Sequence, residues 1–76
     1  MIMEIKEFIE KFAEAIEVEN VEVLTAETPF HDLDEWSSIS VMLLIAFIDE
    51  EFGKEITTVD IRNAVTIQDL YNFATA

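Results

Sequence analysis

The 76-residue sequence contains no cysteine, and it has only one glycine, one proline and four lysine or arginine residues. The absence of cysteine excludes disulfides, thiolate metal sites and a thiol nucleophile, so any thiol chemistry needs an attached group. The few bases face 17 acids, which gives a net charge of -13. Such a field repels nucleic acid and anionic lipid and attracts basic surfaces. We therefore expect protein partners with basic faces, and neither nucleic acid nor membrane.

The sequence also lacks an apolar run long enough to cross a bilayer, because residues 41–48 fall far short of the roughly 20 residues required. Glu4, Lys6 and Glu7 interrupt the N-terminal segment, which therefore does not resemble a signal peptide. We expect a cytoplasmic protein. With 51% hydrophobic residues, the chain is too apolar for a disordered acidic tail. Residues 1–76 are predicted to form one small domain.

Hydrophobic periodicity predicts an all-α fold, a small bundle of three main helices plus one short helix. A first amphipathic helix with a glutamate-rich outer side ends near Val18. Its apolar side consists of Ile2, Ile5, Phe8, Ile9, Phe12 and Ile16. The second helix begins at serines 37–40, continues through Phe52 and stops at Gly53, which suits a left-handed C-terminal cap.

Two short motifs predict the remaining helices. Thr57 or Thr58 is expected to cap the short helix, which ends near Arg62. Thr66 and Asp69 resemble a capping box, with Asp in place of the usual Glu or Gln, at the start of the last helix. One side of that helix carries Ile67, Leu70, Tyr71 and Ala74.

A long loop separates the first two helices. Residues 19–36 follow no single period, and Pro29 within them indicates irregular backbone. A loop of this length in so small a domain needs apolar anchors. The candidate anchors are Val21, Val23, Leu24, Phe30 and Leu33.

Three serines, Ser37, Ser38 and Ser40, stand at the start of the apolar second helix. A serine in this position is most often an N-cap, which is the simplest interpretation of each. Free N–H groups and the helix dipole at such a position also favour an anion on an exposed hydroxyl. The apolar helix can line a groove that shelters an apolar group from water.

The segment Ser37-Ser38-Ile39, followed by an apolar helix and then by Glu50-Glu51-Phe52-Gly53, resembles the acyl carrier protein family. That family's hallmark is Asp-Ser-Leu or a close variant, fourteen residues before the Phe of a Glu-Glu-Phe segment. Ser38 stands fourteen residues before Phe52. Length, acidity, the long loop and the tail at 63–70 agree, so the resemblance covers nearly the whole chain.

The resemblance implies that Ser38 carries a covalent 4'-phosphopantetheine arm, supplied from coenzyme A by a phosphopantetheinyl transferase. The arm's thiol then holds acyl intermediates as thioesters for acyl-transferring or condensing enzymes with basic docking faces. The pathway would be fatty-acid, polyketide, nonribosomal-peptide or related assembly, and the carrier itself is not an enzyme. Ser37 and Ser40 are minor alternatives for attachment. The alternative function is an unmodified acidic interaction module or regulatory subunit with the same fold.

Ser37 stands where the family usually has an Asp that is associated with the transferase and its Mg²⁺. Serine keeps the helix cap but brings no carboxylate. Asp34 and Glu35, just upstream, could replace its charge but not its position.

The second helix also carries a predicted partner-binding face. The side assigned to the core carries Met42, Ile45, Ile48 and Phe52. A second stripe at four-residue steps then points elsewhere and consists of Ile39, Leu43 and Phe47. This stripe either docks a partner enzyme or packs against the loop or a neighbouring chain. Its predicted charged rim is Asp49, Glu50 and Glu51.

No catalytic residue and no metal site is predicted. His31 is the only histidine and has no nearby nucleophile, which argues against catalysis or zinc binding. The acids at 32, 34 and 35 lack the spacing and glycine of an EF-hand loop. Trp36 is interpreted as a packing anchor more readily than as a stacking platform.

Overall fold

The computed structural model describes residues 3–76 and confirms the all-α fold, with four helices and no β-strand in that part of the chain. The helices are α1 (Ile5–Ala15), α2 (Ser38–Phe52), α3 (Thr58–Asn63) and α4 (Ile67–Thr75). Ile2, which was assigned to the apolar side of the first helix, lies outside the described residues. Within residues 3–76, no helix has the length and apolar character that a membrane crossing requires.

Helix α1 packs its apolar side into the core but ends earlier than predicted. It stops at Ala15 and not near Val18, because Glu17 adopts the left-handed conformation at φ 61°. The N–H of Val18 then donates to the Ala13 carbonyl at 2.8 Å, as in a Schellman cap. Val18 remains buried, so its apolar character reflects packing after the helix and not helical periodicity.

Helix α2 begins at Ser38 and ends at Phe52. The φ of 63° at Gly53, which follows, confirms the predicted left-handed cap. Its buried side differs from the predicted one and consists of Ser40, Leu44, Phe47 and Ile48. The prediction that Met42 faces the core is wrong, because its side chain is 71% exposed. The prediction that Phe47 lies on an exposed stripe is also wrong, because it is 8% exposed.

The two predicted threonine caps are confirmed at α3 and α4. Thr57 Oγ1 accepts from the Asp60 N–H at 3.2 Å, and Asp60 Oδ2 accepts from the Thr57 N–H at 3.0 Å. At α4, Thr66 Oγ1 accepts from the Asp69 N–H at 3.2 Å. The N–H groups of Val65 and Thr66 donate to the Asp69 carboxylate and hold its pKa below the ordinary value of 3.8.

The long loop between α1 and α2 is fixed at several points. It contains two 3-10 turns, Val21–Val23 and Phe30–Asp32. Leu24 and Phe30 are buried and Val21 and Leu33 are half-buried, whereas Val23 is exposed and is not an anchor. Backbone N–H groups at the start of α4 also hold the loop in place. Ile67 donates to the Thr28 carbonyl at 3.2 Å and Gln68 to the Ala26 carbonyl at 2.8 Å.

An aromatic cluster joins three of the helices at the centre of the core. The ring of Phe8 on α1 lies 5.5 Å from Phe47, 5.8 Å from Phe52 and 5.4 Å from Tyr71, between centroids. Aromatic pairs at these separations add to the free energy gained by burying their area. Helix α1 thus packs against both α2 and α4, while α3 packs on α2.

Candidate functional site

The serine turn at the start of α2 divides its hydroxyls between structure and solvent. Ser40 is buried, with its hydroxyl donating to the Glu35 carbonyl at 3.2 Å and accepting from the Ser37 N–H at 3.1 Å. The Ser40 hydroxyl thus gives hydrogen-bond partners to backbone groups just before α2 that have none within the helix. Because Ser40 is only 3% exposed, a transferase would not reach it without unfolding the turn.

Ser38 occupies the first helical position and is exposed. The hydrogen bonds of the turn run among Ser37, Ser40 and Glu35, and so leave the Ser38 hydroxyl out of the cap. The first turn of α2 carries no acidic residue, although the net charge of the chain is -13. An anion attached at Ser38 therefore meets the positive end of the helix without a carboxylate in the same turn.

A groove of about 360 Å³ opens beside Ser38, between α2, α3 and the loop. The residues around it are His31, Trp36, Ser38, Val41, Met42, Thr58, Ile61 and Arg62. Its walls are mostly apolar, with the guanidinium group of Arg62 and the imidazole of His31 supplying polar contacts. The volume lies at the lower end of the range for small-molecule sites.

The side chains around Ser38 fit a 4'-phosphopantetheine arm. Ser38 offers an accessible hydroxyl, the N-terminus of α2 suits a phosphodiester, and the groove begins at the same residue. Trp36, Met42 and Ile61 give the groove an apolar wall against which an apolar group can pack. The residues present can therefore hold both the charged and the apolar part of such a group.

An aromatic group links the groove to the core. Sequence reasoning predicted Phe30 and Trp36 as packing anchors but did not find His31 between them. The ring of Phe30 lies 6.1 Å from Phe12 in the core and 4.9 Å from Trp36 at the groove. The His31 ring lies 4.2 Å from Phe30 and 5.3 Å from Trp36. Trp36 is half-buried and packs against the core, so it is both an anchor and part of the groove. For His31 itself, the only signal in the sequence was a single histidine in an acidic loop.

The predicted partner-binding residues are not all on one surface. Ile39 is 65% exposed and Leu43 is 41% exposed on the outer side of α2, where Met42 joins them. The acids of the rim, Asp49, Glu50 and Glu51, are also exposed. Glu51 is 3.6 Å from Lys11, between Oε1 and Nζ, in an exposed ion pair. Phe47 borders the cleft between Leu43 and the acids Glu50 and Glu51, but it is only 8% exposed and belongs to the core.

Acidic side chains near the site do not gather into a metal-binding cluster. Asp32, Asp34 and Glu35 are all exposed on the loop. Within residues 3–76, no three acids or histidines are placed to hold a metal ion together.

A family model described as "Phosphopantetheine attachment site" matches residues 6–74. No curated protein and no solved structure matches the chain. The matched range includes Ser38 and every residue that lines the groove beside it. The chain therefore belongs to the phosphopantetheine-binding family of acyl carrier proteins, whose members carry covalently attached 4'-phosphopantetheine.

Proposed function

We propose that the protein is an acyl carrier whose arm is attached to Ser38. It presents acyl or related intermediates to the enzymes of an assembly pathway and catalyses no step itself. The observation that carries this proposal is the position of Ser38, exposed at the start of α2 with its hydroxyl outside the cap and a groove beside it. A cytoplasmic location is part of the proposal.

The residues around Ser38 have separate roles toward the arm. The Ser38 hydroxyl forms the phosphodiester, and the N-terminal turn of α2 stabilises its negative charge. Val41, Met42 and Ile61 supply apolar walls against which a short acyl chain escapes water. When attached, the arm supplies the thiol that this cysteine-free chain lacks and to which the acyl group is bound.

The outer side of α2 is the proposed docking face, defined as Ile39, Met42 and Leu43. These side chains are exposed and follow Ser38 directly on the same helix. Three acids follow on the next turns and form a charged rim for basic partner surfaces. The proposed partners are a phosphopantetheinyl transferase and acyl-transferring or condensing enzymes. Met42 takes the place that the sequence had suggested for Phe47.

Mass spectrometry of the chain co-expressed with a phosphopantetheinyl transferase tests attachment. We expect a gain of one phosphopantetheine per chain, located on the peptide that contains Ser38. Absence of this gain with several transferases of different specificity would contradict the proposal and favour the unmodified interaction module.

Ser38→Ala is expected to abolish attachment and to leave the helical fold intact. Ser38 is exposed and its hydroxyl takes no part in the cap, so the free energy of unfolding should fall by less than about 1 kcal/mol. Labelling with a fluorescent coenzyme A analogue measures the first effect, and thermal unfolding followed by circular dichroism measures the second. Ser37→Ala is the matched control, because it removes an exposed hydroxyl one residue earlier and should still be labelled. Retained labelling of Ser38→Ala would exclude Ser38 as the attachment site.

A further inference from the structure

His31 makes two hydrogen bonds to the end of α3, although it lies 30 or more residues away in sequence. Its Nε2 is 3.1 Å from the Ile61 carbonyl oxygen and 2.9 Å from the Ala64 carbonyl oxygen. Both partners are acceptors, so the Nε2–H donates to both. Carbonyls in the last turn of a helix have no partner within the helix. His31 therefore caps the C-terminal end of α3 from the loop.

Helix α3 depends on such outside contacts. It has only six residues, whereas an isolated helix needs about 12–15 to be even marginally stable in water. Its N-terminal end is fixed by the reciprocal hydrogen bonds of Thr57 and Asp60. Its C-terminal end is held to the rest of the domain by His31. Three of its side chains, Thr58, Ile61 and Arg62, form one wall of the groove beside Ser38.

The imidazole is itself held in place by two aromatic rings. Its centroid is 4.2 Å from that of Phe30, which is fully buried, and 5.3 Å from that of Trp36. Trp36 lines the same groove as α3 and directly precedes Ser37. The His31 side chain thus contacts both the end of α3 and an aromatic ring of the groove.

We infer that His31 is a positioning residue that fixes α3 against the loop and sets the width of the groove beside Ser38. Without it, the C-terminal end of α3 separates from Trp36, and water enters the groove. The assignment of this groove to an acyl chain rests on the proposed function. The contact between His31 and α3 is a property of the unmodified chain and can be tested without the arm.

The first experiment uses the unmodified chain and two variants of His31. His31→Leu replaces the imidazole with an apolar side chain and removes the hydrogen-bond donor. His31→Gln retains an N–H donor near the position of Nε2. The N–H groups of Ile61 and Ala64 donate to the carbonyls of Thr57 and Asp60 within α3. We expect His31→Leu to speed hydrogen exchange of these two N–H groups about tenfold, because losing the contact between His31 and the carbonyls at the end of α3 lets that end open more often. Emission of Trp36, the only tryptophan, should shift to the red. His31→Gln should restore most of both signals.

Thr66→Ala is the control for the loss of a helix cap, because Thr66 caps α4 and does not line the groove. It should lower the unfolding midpoint and leave exchange in α3 and the emission of Trp36 close to the parent values. Exchange in α3 that is unchanged in His31→Leu, or that rises equally in all helices, would overturn the inference. So would a His31→Gln variant that behaves like His31→Leu. If His31→Leu does not fold, His31→Asn, whose amide is too short to reach α3, replaces it under the same criteria.

The second experiment uses the chain modified at Ser38 and loaded with a hexanoyl group. Hydrolysis of the hexanoyl thioester should be severalfold faster in His31→Leu than in the parent and in Thr66→Ala, because water reaches a widened groove. An equal rate in all three chains would show that the groove does not shelter the acyl group. Failure to modify Ser38 would overturn the proposed function alone, since the exchange and emission measurements do not need the arm.

Discussion

In the serine turn at the start of α2, Ser37 occupies the position at which the family usually has an Asp. The structure places it as the N-cap of α2, with its N–H donating to the Ser40 hydroxyl at 3.1 Å. The Ser40 N–H donates in return to the Ser37 carbonyl at 3.0 Å, so the turn is closed without a carboxylate. The difference from the family is the missing negative charge. Aspartate and serine cap helices about equally well, and a carboxylate also interacts favourably with the helix dipole.

Ser37→Asp is expected to speed modification by transferases that recognise an acid before the serine, and to raise the unfolding free energy by a few tenths of a kcal/mol. Ser37→Asn is the matched control, since it caps the helix without charge and should leave the modification rate unchanged. Rates come from mass spectra of timed reactions with a purified transferase. Equal rates for the Asp and Asn variants would show that the charge at this position is not recognised.

Single residues were predictable from the sequence where their role depends on neighbours in the chain. Ser38 was selected as the candidate site by its distance from Phe52 and by the apolar helix that follows it, and the structure places it exposed at the start of α2. The burial of Ser40 was not, because it depends on the turn bringing its hydroxyl to the Glu35 carbonyl. The role of His31 was also missed, since its partners are carbonyls on α3 and no pattern in the loop points to them.

At the level of elements, α2 shows why helix limits are easier to predict than helix faces. Its ends carry local signals, a serine at the start and Gly53 at the end. Apolar residues surround it on every side, so hydrophobic periodicity does not select the buried face. The core face includes a serine, Ser40, while the exposed face includes Met42. Because a polar residue lies in the core and apolar residues lie outside it, the predicted core face of α2 differs from the observed one.

Single charges introduced on α2 distinguish the two faces. Phe47→Glu should unfold the domain or cost at least about 3–5 kcal/mol, as for removal of a buried aromatic ring, because it also buries an unpaired charge. Met42→Glu and Leu43→Glu should leave the unfolding midpoint within a few degrees of the parent value and weaken binding to a partner enzyme. Circular dichroism and partner titration measure the two effects. Unfolding caused by Leu43→Glu would place that residue in the core.

The end of α1 offers a second prediction for an element. Glu17 has a left-handed backbone at φ 61°, a conformation that is unfavourable for residues with a Cβ. The sequence has no glycine at this turn to indicate it. Glu17→Gly should therefore raise the free energy of unfolding by roughly 1 kcal/mol. Glu17→Gln separates the loss of charge from the backbone effect, and urea unfolding compares the variants. A glycine variant no more stable than the glutamine variant would show that the turn is not strained.

Charge acts on the molecule as a whole. The longest dimension is 27 Å, whereas the Debye length at 0.01 M salt is about 30 Å, so exposed acids on opposite sides still repel one another at low salt. Only Lys11 and Glu51 form an ion pair among residues 3–76. The folded state concentrates this repulsion, because the unfolded chain places the same charges farther apart.

Added NaCl is therefore expected to raise the unfolding midpoint, with most of the gain complete where the Debye length falls to about 3 Å, near 1 M. Thermal unfolding at a series of salt concentrations measures the effect. A variant in which Glu7, Glu10 and Glu14 of α1 become Gln keeps the core but reduces the charge, so its response to salt should be smaller. A midpoint independent of salt would show that repulsion contributes nothing measurable.

The backbone hydrogen bonds between the loop and the start of α4 also affect how the protein folds as it leaves the ribosome. The carbonyls of Ala26 and Thr28 accept hydrogen bonds from the N–H groups of Gln68 and Ile67, respectively. These two donors are synthesised much later than the carbonyls. Synthesis adds roughly 5–20 residues per second, so these carbonyls wait seconds for their donors. Helices α1 and α2 can pair earlier, but the loop that leads to Ser38 closes only when α4 has emerged. A nascent chain stalled before Ile67 would thus present Ser38, the proposed attachment site, at the end of an open loop.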